Sequence, residues 1–344
     1  MSSVHVRSLA ENRTSYPKAH GGNPMARVDA DIKHVLDVLA TMEPKPVEHC
    51  SAAEARAQPT VTMALNRILK DGAGDQGVDM ELRLIPGPAG DIRVRVYTPP
   101  LSGAGATTLI LYLHGGGWVL GDLDGYDATP RALSKRTGAI VVSAHYRQAP
   151  EFRFPAAHED SFAAWRWMIE NAEALGGDAH RAAVAGEGAG ANMAVNIALR
   201  ARDEGVTPPI HQVLISPMAG GDLTLPSYLE NTESRPLNTA MVRWFMRKAF
   251  RGKDTAKDPR IRLIERADLG GLPPATIILA EIDPLRSEGE ALADALRRSG
   301  VWVDCTTYEG VTHQFFGLAR IVNKSMFAQS QVARNLIEAF EGQS

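Results

Sequence analysis

Cysteine is scarce in this chain: Cys50 and Cys305 are the only two among 344 residues. That is too few for a disulfide framework, and both read as free thiols rather than as a bridge or a metal site. No stretch approaches the ~18 consecutive apolar residues of a membrane span. Residues 1–24 are polar and lack the apolar centre of a secretory signal. Charge of one sign is lacking as well, since 37 Lys and Arg stand against 40 Asp and Glu. The resulting net charge of -3 gives no electrostatic case for nucleic acid or an anionic membrane surface. There is no internal repeat, no low-complexity run and no Gly/Ser linker. These absences leave a soluble, cytoplasmic enzyme or binder of small molecules as the expectation, and nothing calls for a cofactor or a metal. The length suffices for one large α/β domain or two smaller ones.

Residues 28–42 place Val28, Ile32, Val35, Leu36 and Leu39 at amphipathic helical spacing. A second helix is expected over 60–70, after Pro59. From Met80 the period changes. Residues 81–86 and 91–97 flank Gly87-Pro88-Ala89-Gly90 and predict a β-hairpin, so the sheet should open with antiparallel pairing. Short apolar runs follow at 109–113, 139–144, 182–185, 213–215, 275–280 and 301–307, separated by helical stretches. Such runs with long crossovers indicate a parallel sheet buried on both faces, giving about eight strands in all. Between Ser216 and Pro273 the alternation is interrupted by an insertion rich in Met, Leu, Trp and Phe. Its helix carries Met241, Val242, Trp244, Phe245 and Ala249 on one face, with Asn238 as N-cap and Gly252 as terminator. The division read from this pattern is an N-terminal helical segment over 1–78, a core over 79–216, a lid insertion over 217–258 and the rest of the core over 259–344.

Chemistry concentrates at four places. His114-Gly115-Gly116-Gly117-Trp118 directly follows the apolar run 109–113. Successive glycines permit backbone angles closed to other residues and let a substrate carbonyl approach the N–H groups. Gly186-Glu187-Gly188-Ala189-Gly190 lies between the run 182–185 and a helix expected from about 191 to 202, in the frame of a G-x-S-x-G nucleophile elbow. A phosphate-binding turn is the competing reading, but this turn has Ala191 where a G-x-G-x-x-G would close and carries no Lys-Ser/Thr ending. Asp283 follows the run 275–280, and His313 follows the last strand. Loops after successive parallel strands meet above the carboxyl edge of the sheet, where such folds keep their sites. Taken singly, Asp283 could be a helix cap before Pro284, and one of ten histidines could fall there by chance. The order elbow, acid, histidine is that of α/β-hydrolases. Arg147 with its carboxylate neighbours, His158, His211 and Ser216 read as structural.

Together these residues resemble the hormone-sensitive-lipase-like (family IV) carboxylesterases. The matching pieces are His114 to Trp118, Tyr146-Arg147-Gln148-Ala149-Pro150-Glu151, Gly186 to Ala191, Asp283-Pro284-Leu285 and His313. The resemblance implies the α/β-hydrolase fold, with a mostly parallel sheet flanked by helices and a helical cap. It further implies a pocket for carboxylic esters with short or medium acyl groups and leaves a homodimer open. Gly116, Gly117 and Ala189 would supply oxyanion-hole N–H groups, supported by His114, Gly115 and Glu187. His313 would be the general base, Asp283 would orient it, and the nucleophile would map onto residue 188. There the chain has Gly188. Smaller departures are Glu187 and His145, each where Asp is usual, Ser287 where an acid is common and Gln314 where Gly is common.

Glycine adopts the angles of this turn with little steric penalty, so the fold should persist while turnover falls. Two readings follow: an inactivated form of a serine hydrolase, or a natural binding protein using the same pocket. The joint presence of His313, Asp283 and the glycine loop favours the first. A third reading is a lyase or hydratase in which His313 acts as base without a covalent step.

Overall fold

The computed structural model describes residues 22–70, 77–100, 107–252 and 257–342. The N-terminal polar stretch up to residue 21 lies outside them. Among the described residues, eight strands form one sheet: β1 (Asp79–Gly87), β2 (Gly90–Thr98), β3 (Thr107–Leu113), β4 (Ile140–His145), β5 (Gly177–Glu187), β6 (Gln212–Ile215), β7 (Ala275–Ile282) and β8 (Val303–Thr312). Their spatial order is β1-β2-β4-β3-β5-β6-β7-β8. The β1–β2 and β2–β4 pairs are antiparallel, and the remaining pairs are parallel.

Period-2 alternation accounts for the double burial. In β3, Leu109, Leu111 and Leu113 join one apolar cluster, while Ile110 and Tyr112 join the cluster on the other face. The first cluster includes residues of α5 (Ala156–Glu170), α7 (Ala189–Glu204) and α10 (Arg286–Arg298). The second includes residues of α4 (Ala128–Thr137) and α11 (Asn323–Glu341). Helices on both faces therefore close the sheet, and loops at the carboxyl ends of its parallel strands converge at one rim. Among the described residues, no helix is long and apolar enough to cross a membrane.

Several boundaries differ from the sequence expectation. Helix α7 begins at Ala189, two residues earlier than expected, because Gly188 turns the chain sharply enough for the helix to start at once. The last strand starts at Val303 rather than 301, since the Val301 N–H bonds Leu296 O and completes the preceding helix end. The insertion helix α9 (Thr239–Ala249) has its Asn238 cap, whose side chain accepts from the Met241 N–H, but it does not run to Gly252. Phe250 is already extended, with its ring 5.4 Å from Trp118 and 5.6 Å from Phe154. Tertiary packing of that ring ends the helix before the glycine.

The N-terminal segment supplies α1 (Ala30–Ala40), α2 (Ala52–Arg56) and α3 (Val61–Leu69). Thr60 caps α3, and a Ser51/Glu54 capping box starts α2. Helix α9 packs against the turn Val47–His49, and Trp244 Nε1 donates to Cys50 O at 3.1 Å. Cys50 is consequently buried in this apolar contact. Both cysteines are free thiols.

Candidate active site

Three glycines shape the turn between β5 and α7 for different reasons. A Cβ on Gly186 would lie 2.3 Å from the backbone C and O of Gly190, and one on Gly190 would lie 2.0 Å from Leu113 O. Neither position admits a side chain without moving backbone. Gly188 is different: its φ of 52° and ψ of -111° are strained for any L-residue, yet a Cβ there meets only the Cε1 and Nε2 of His313, each at 3.9 Å. The turn is held by the Gly188 N–H on Ile215 O at 2.9 Å and by the Met218 N–H on Gly188 O at 3.1 Å.

His313 reaches this point from the end of β8. Its Nδ1 is 2.7 Å from Oδ2 of the fully buried Asp283. The other oxygen of Asp283 accepts the Leu285 N–H at 2.9 Å, so this residue both caps the following turn and fixes the imidazole. A carboxylate at Nδ1 places the ring proton there and leaves Nε2 facing Gly188 as an acceptor. Burial disfavours the imidazolium, but the charge of Asp283, its hydrogen bond and the charge of Glu187 outweigh it and raise the His313 pKa. Glu187 is itself buried, which raises its pKa, although hydrogen bonds from Thr129 at 2.6 Å and Tyr112 at 2.7 Å oppose that shift.

The glycine loop after β3 stands opposite. Gly116 has φ 97° and Gly117 φ 59°; their Cβ atoms would fall 2.1 Å from Leu120 O and 2.2 Å from the Phe245 ring. The Gly116 carbonyl is used by the N–H groups of Val119 and Leu120 at 3.0 and 2.8 Å. Ala189 opens α7, where the first N–H groups have no intrahelical acceptor. His114 is a structural support: its Nδ1 lies 2.8 Å from Gly115 O, and burial lowers its pKa to about 3, keeping it neutral. Tyr146 locks the same segment by donating to His114 O at 2.9 Å.

The residues read as structural have hydrogen-bond or ion-pair partners of their own. Arg147 pairs with Asp160 at 2.7 Å, His158 with Asn192 at 2.9 Å and His211 with Thr276 at 2.9 Å. Ser216 is buried at the end of β6 and does not line the central cavity. Gln314, at φ 66°, donates to Tyr126 Oη at 2.8 Å, which ties this departure to the loop below the cavity. Ser287 exchanges hydrogen bonds with Ser227 at 3.0 and 3.1 Å.

Two supports escaped the sequence reading. Arg56 of α2 donates to Val119 O at 2.9 Å and Ala149 O at 2.8 Å and pairs with Glu151 at 2.7 Å, tying the N-terminal segment to the glycine loop. Glu288 accepts from the N–H groups of Ala219, Gly220 and Gly221 and from Tyr228 Oη at 2.7 to 2.8 Å, anchoring the start of the insertion. Neither residue belongs to a local pattern.

Gly116, Gly117, Gly188, Ala189 and His313 all border one cavity of about 730 Å³. Leu36, Leu39 and Val61 from the N-terminal segment and Met241, Val242 and Phe245 from α9 line its apolar side. His313, with a carboxylate behind it, and two glycines of the loop thus border one pocket of ligand size that has an apolar side.

Comparison with known proteins agrees with this geometry. A family model described as alpha/beta hydrolase fold matches residues 110–317. Carboxylesterase NlhH of Mycobacterium tuberculosis is 42% identical over 235 residues, 67% of this chain and 73% of the relative. Ethyl acetate hydrolase of Pseudomonas putida is 34% identical over 283 residues, 81% of this chain and 88% of the relative. The solved structure of a hyperthermophilic esterase from Pyrobaculum calidifontis superposes with a TM-score of 0.82 at 36% identity, covering 91% of this chain and 98% of that one. Motifs, topology and relatives coincide, and the chain belongs to the hormone-sensitive-lipase-like branch of the α/β-hydrolase fold family.

Proposed function

We propose that this chain is a carboxylic ester hydrolase by design of its site, with the attacking hydroxyl absent because residue 188 is glycine. The observation that carries the reading is the position of His313: Nε2 lies 3.9 Å from the Cβ site at residue 188, and Asp283 holds Nδ1 at 2.7 Å. A serine there would have its hydroxyl within reach of Nε2. The carbonyl oxygen of a bound ester would take hydrogen bonds from the N–H groups of Gly116, Gly117 and Ala189 as it becomes an oxyanion. The described residues within 1–78 and 217–258 would form the cap, and a cavity of about 730 Å³ suits short- to medium-chain acyl esters. The esterase names of the relatives support the same reaction class.

With glycine at 188 the covalent route is closed. Removing the nucleophile of a serine triad costs on the order of 10⁶ in kcat, about 8 kcal/mol. Ester binding is expected to survive. The test is Gly188→Ser, assayed on nitrophenyl acetate, butyrate and octanoate beside the unaltered chain. Strong gain of hydrolysis supports the proposal. Gly188 itself favours a second reading, a small-molecule binding protein on the same fold, and that reading requires affinity without turnover even after the substitution.

A further inference from the structure

The residue that removes the internal nucleophile also leaves space next to the base. An added Cβ at Gly188 would meet nothing closer than the His313 ring at 3.9 Å, and both residues border the same cavity. Beyond Cα, a serine side chain consists of two heavy atoms, one carbon and one hydroxyl oxygen, which is the heavy-atom content of methanol. We infer that the unaltered chain transfers acyl groups from a bound ester directly to a small hydroxylic acceptor, water or a short primary alcohol, that enters beside Gly188. This inference rests on reading the site as an ester pocket.

The step balances without a redox partner. The acceptor O–H gives its proton to His313 Nε2 while its oxygen bonds to the acyl carbon. The carbonyl electron pair moves onto oxygen, which faces the N–H groups of Gly116, Gly117 and Ala189. On collapse the carbonyl re-forms, the bond to the leaving oxygen breaks, and that oxygen takes the proton back from Nε2. Water yields the acid, and an alcohol yields a new ester. Asp283 opposite Nδ1 stabilises the transient imidazolium. No acyl-enzyme forms, which separates this route from the serine mechanism.

The test uses the full chain with 4-nitrophenyl butyrate and increasing methanol, reading nitrophenolate and methyl butyrate together. The expected result is a protein-dependent rate that rises with methanol, yields methyl butyrate and does not rise with bulky tert-butanol. His313→Ala should lower the protein-dependent rate by about 10²-fold or more, the usual contribution of a general base. In Gly188→Ser, the first turnover of nitrophenolate should be independent of methanol, because an internal oxygen attacks. The inference is overturned if Gly188→Ser is active while the unaltered chain shows no methanol-dependent rate above His313→Ala. If Gly188→Ser is inactive too, the ester reading fails and the inference falls with it.

Discussion

Replacing the three elbow glycines one at a time by alanine should give unequal costs. At Gly188 the space is open, so the cost is backbone strain at φ 52°, about 1–3 kcal/mol. Stiffening of the unfolded chain offsets roughly 0.4–1 kcal/mol of that, and a net loss of about 1–2 kcal/mol is expected. At Gly190 the added carbon falls 2.0 Å from Leu113 O and 2.7 Å from His114 O, both backbone atoms at the end of β3 in the middle of the sheet. At Gly186 it falls 2.3 Å from the backbone of Gly190. No side chain can rotate away at either site, so strand and helix must separate, and the loss should exceed the ~1–3 kcal/mol of ordinary overpacking. Urea unfolding followed by circular dichroism and tryptophan fluorescence measures all three. Equal losses at 188 and 190, or a loss at 190 below about 1 kcal/mol, would refute the steric account of the turn.

Other consequences follow from the same contacts. In Gly188→Ser, kcat/KM should fall as pH drops through a midpoint above the ordinary histidine value, because Asp283 and Glu187 raise the His313 pKa and only neutral imidazole accepts a proton; a pH–rate profile reads the midpoint, and Asp283→Asn in that background should lower it. By linkage, the raised pKa contributes stability that is full below the unfolded-state pKa and is lost as pH rises through the folded-state value, so the urea midpoint difference between the unaltered chain and Asp283→Asn should shrink toward alkaline pH. Arg56→Ala should cost about 1–3 kcal/mol in urea unfolding by stranding Val119 O and Ala149 O, with the exposed pairing to Glu151 adding little. Arg56→Lys should not restore the loss, since one ammonium cannot reproduce the planar fork that spans both carbonyls. Glu288→Gln leaves four donors facing one oxygen and one amide nitrogen, and should cost about 1–3 kcal/mol by the same measurement.

The sheet was legible because its strands are buried on both faces, so Leu109 to Leu113 read as one continuous apolar run. The meeting of Asp283 with His313 was legible because chain order around an elbow constrains which loops come together. The backbone atoms that Gly186 and Gly190 approach were not, because Leu113 O, which a Cβ on Gly190 would strike, comes from a strand far upstream. Arg56 was missed for a similar reason: its acceptors are 63 and 93 residues away, and an arginine at the end of a short helix carries no local sign of them. Local propensity also misplaced the end of α9, where Gly252 looked like the terminator and the buried ring of Phe250 decided the matter.

The central claim is that the site holds everything an acyl-transfer serine hydrolase needs except one oxygen at residue 188. Intact-mass analysis of Gly188→Ser after incubation with a nitrophenyl alkylphosphonate tests it most directly. The account predicts one covalent adduct per chain, mapping to residue 188 and abolished by adding His313→Ala, with none on the unaltered chain. A folded Gly188→Ser chain that takes up no adduct, or an equal adduct on both chains, would contradict it.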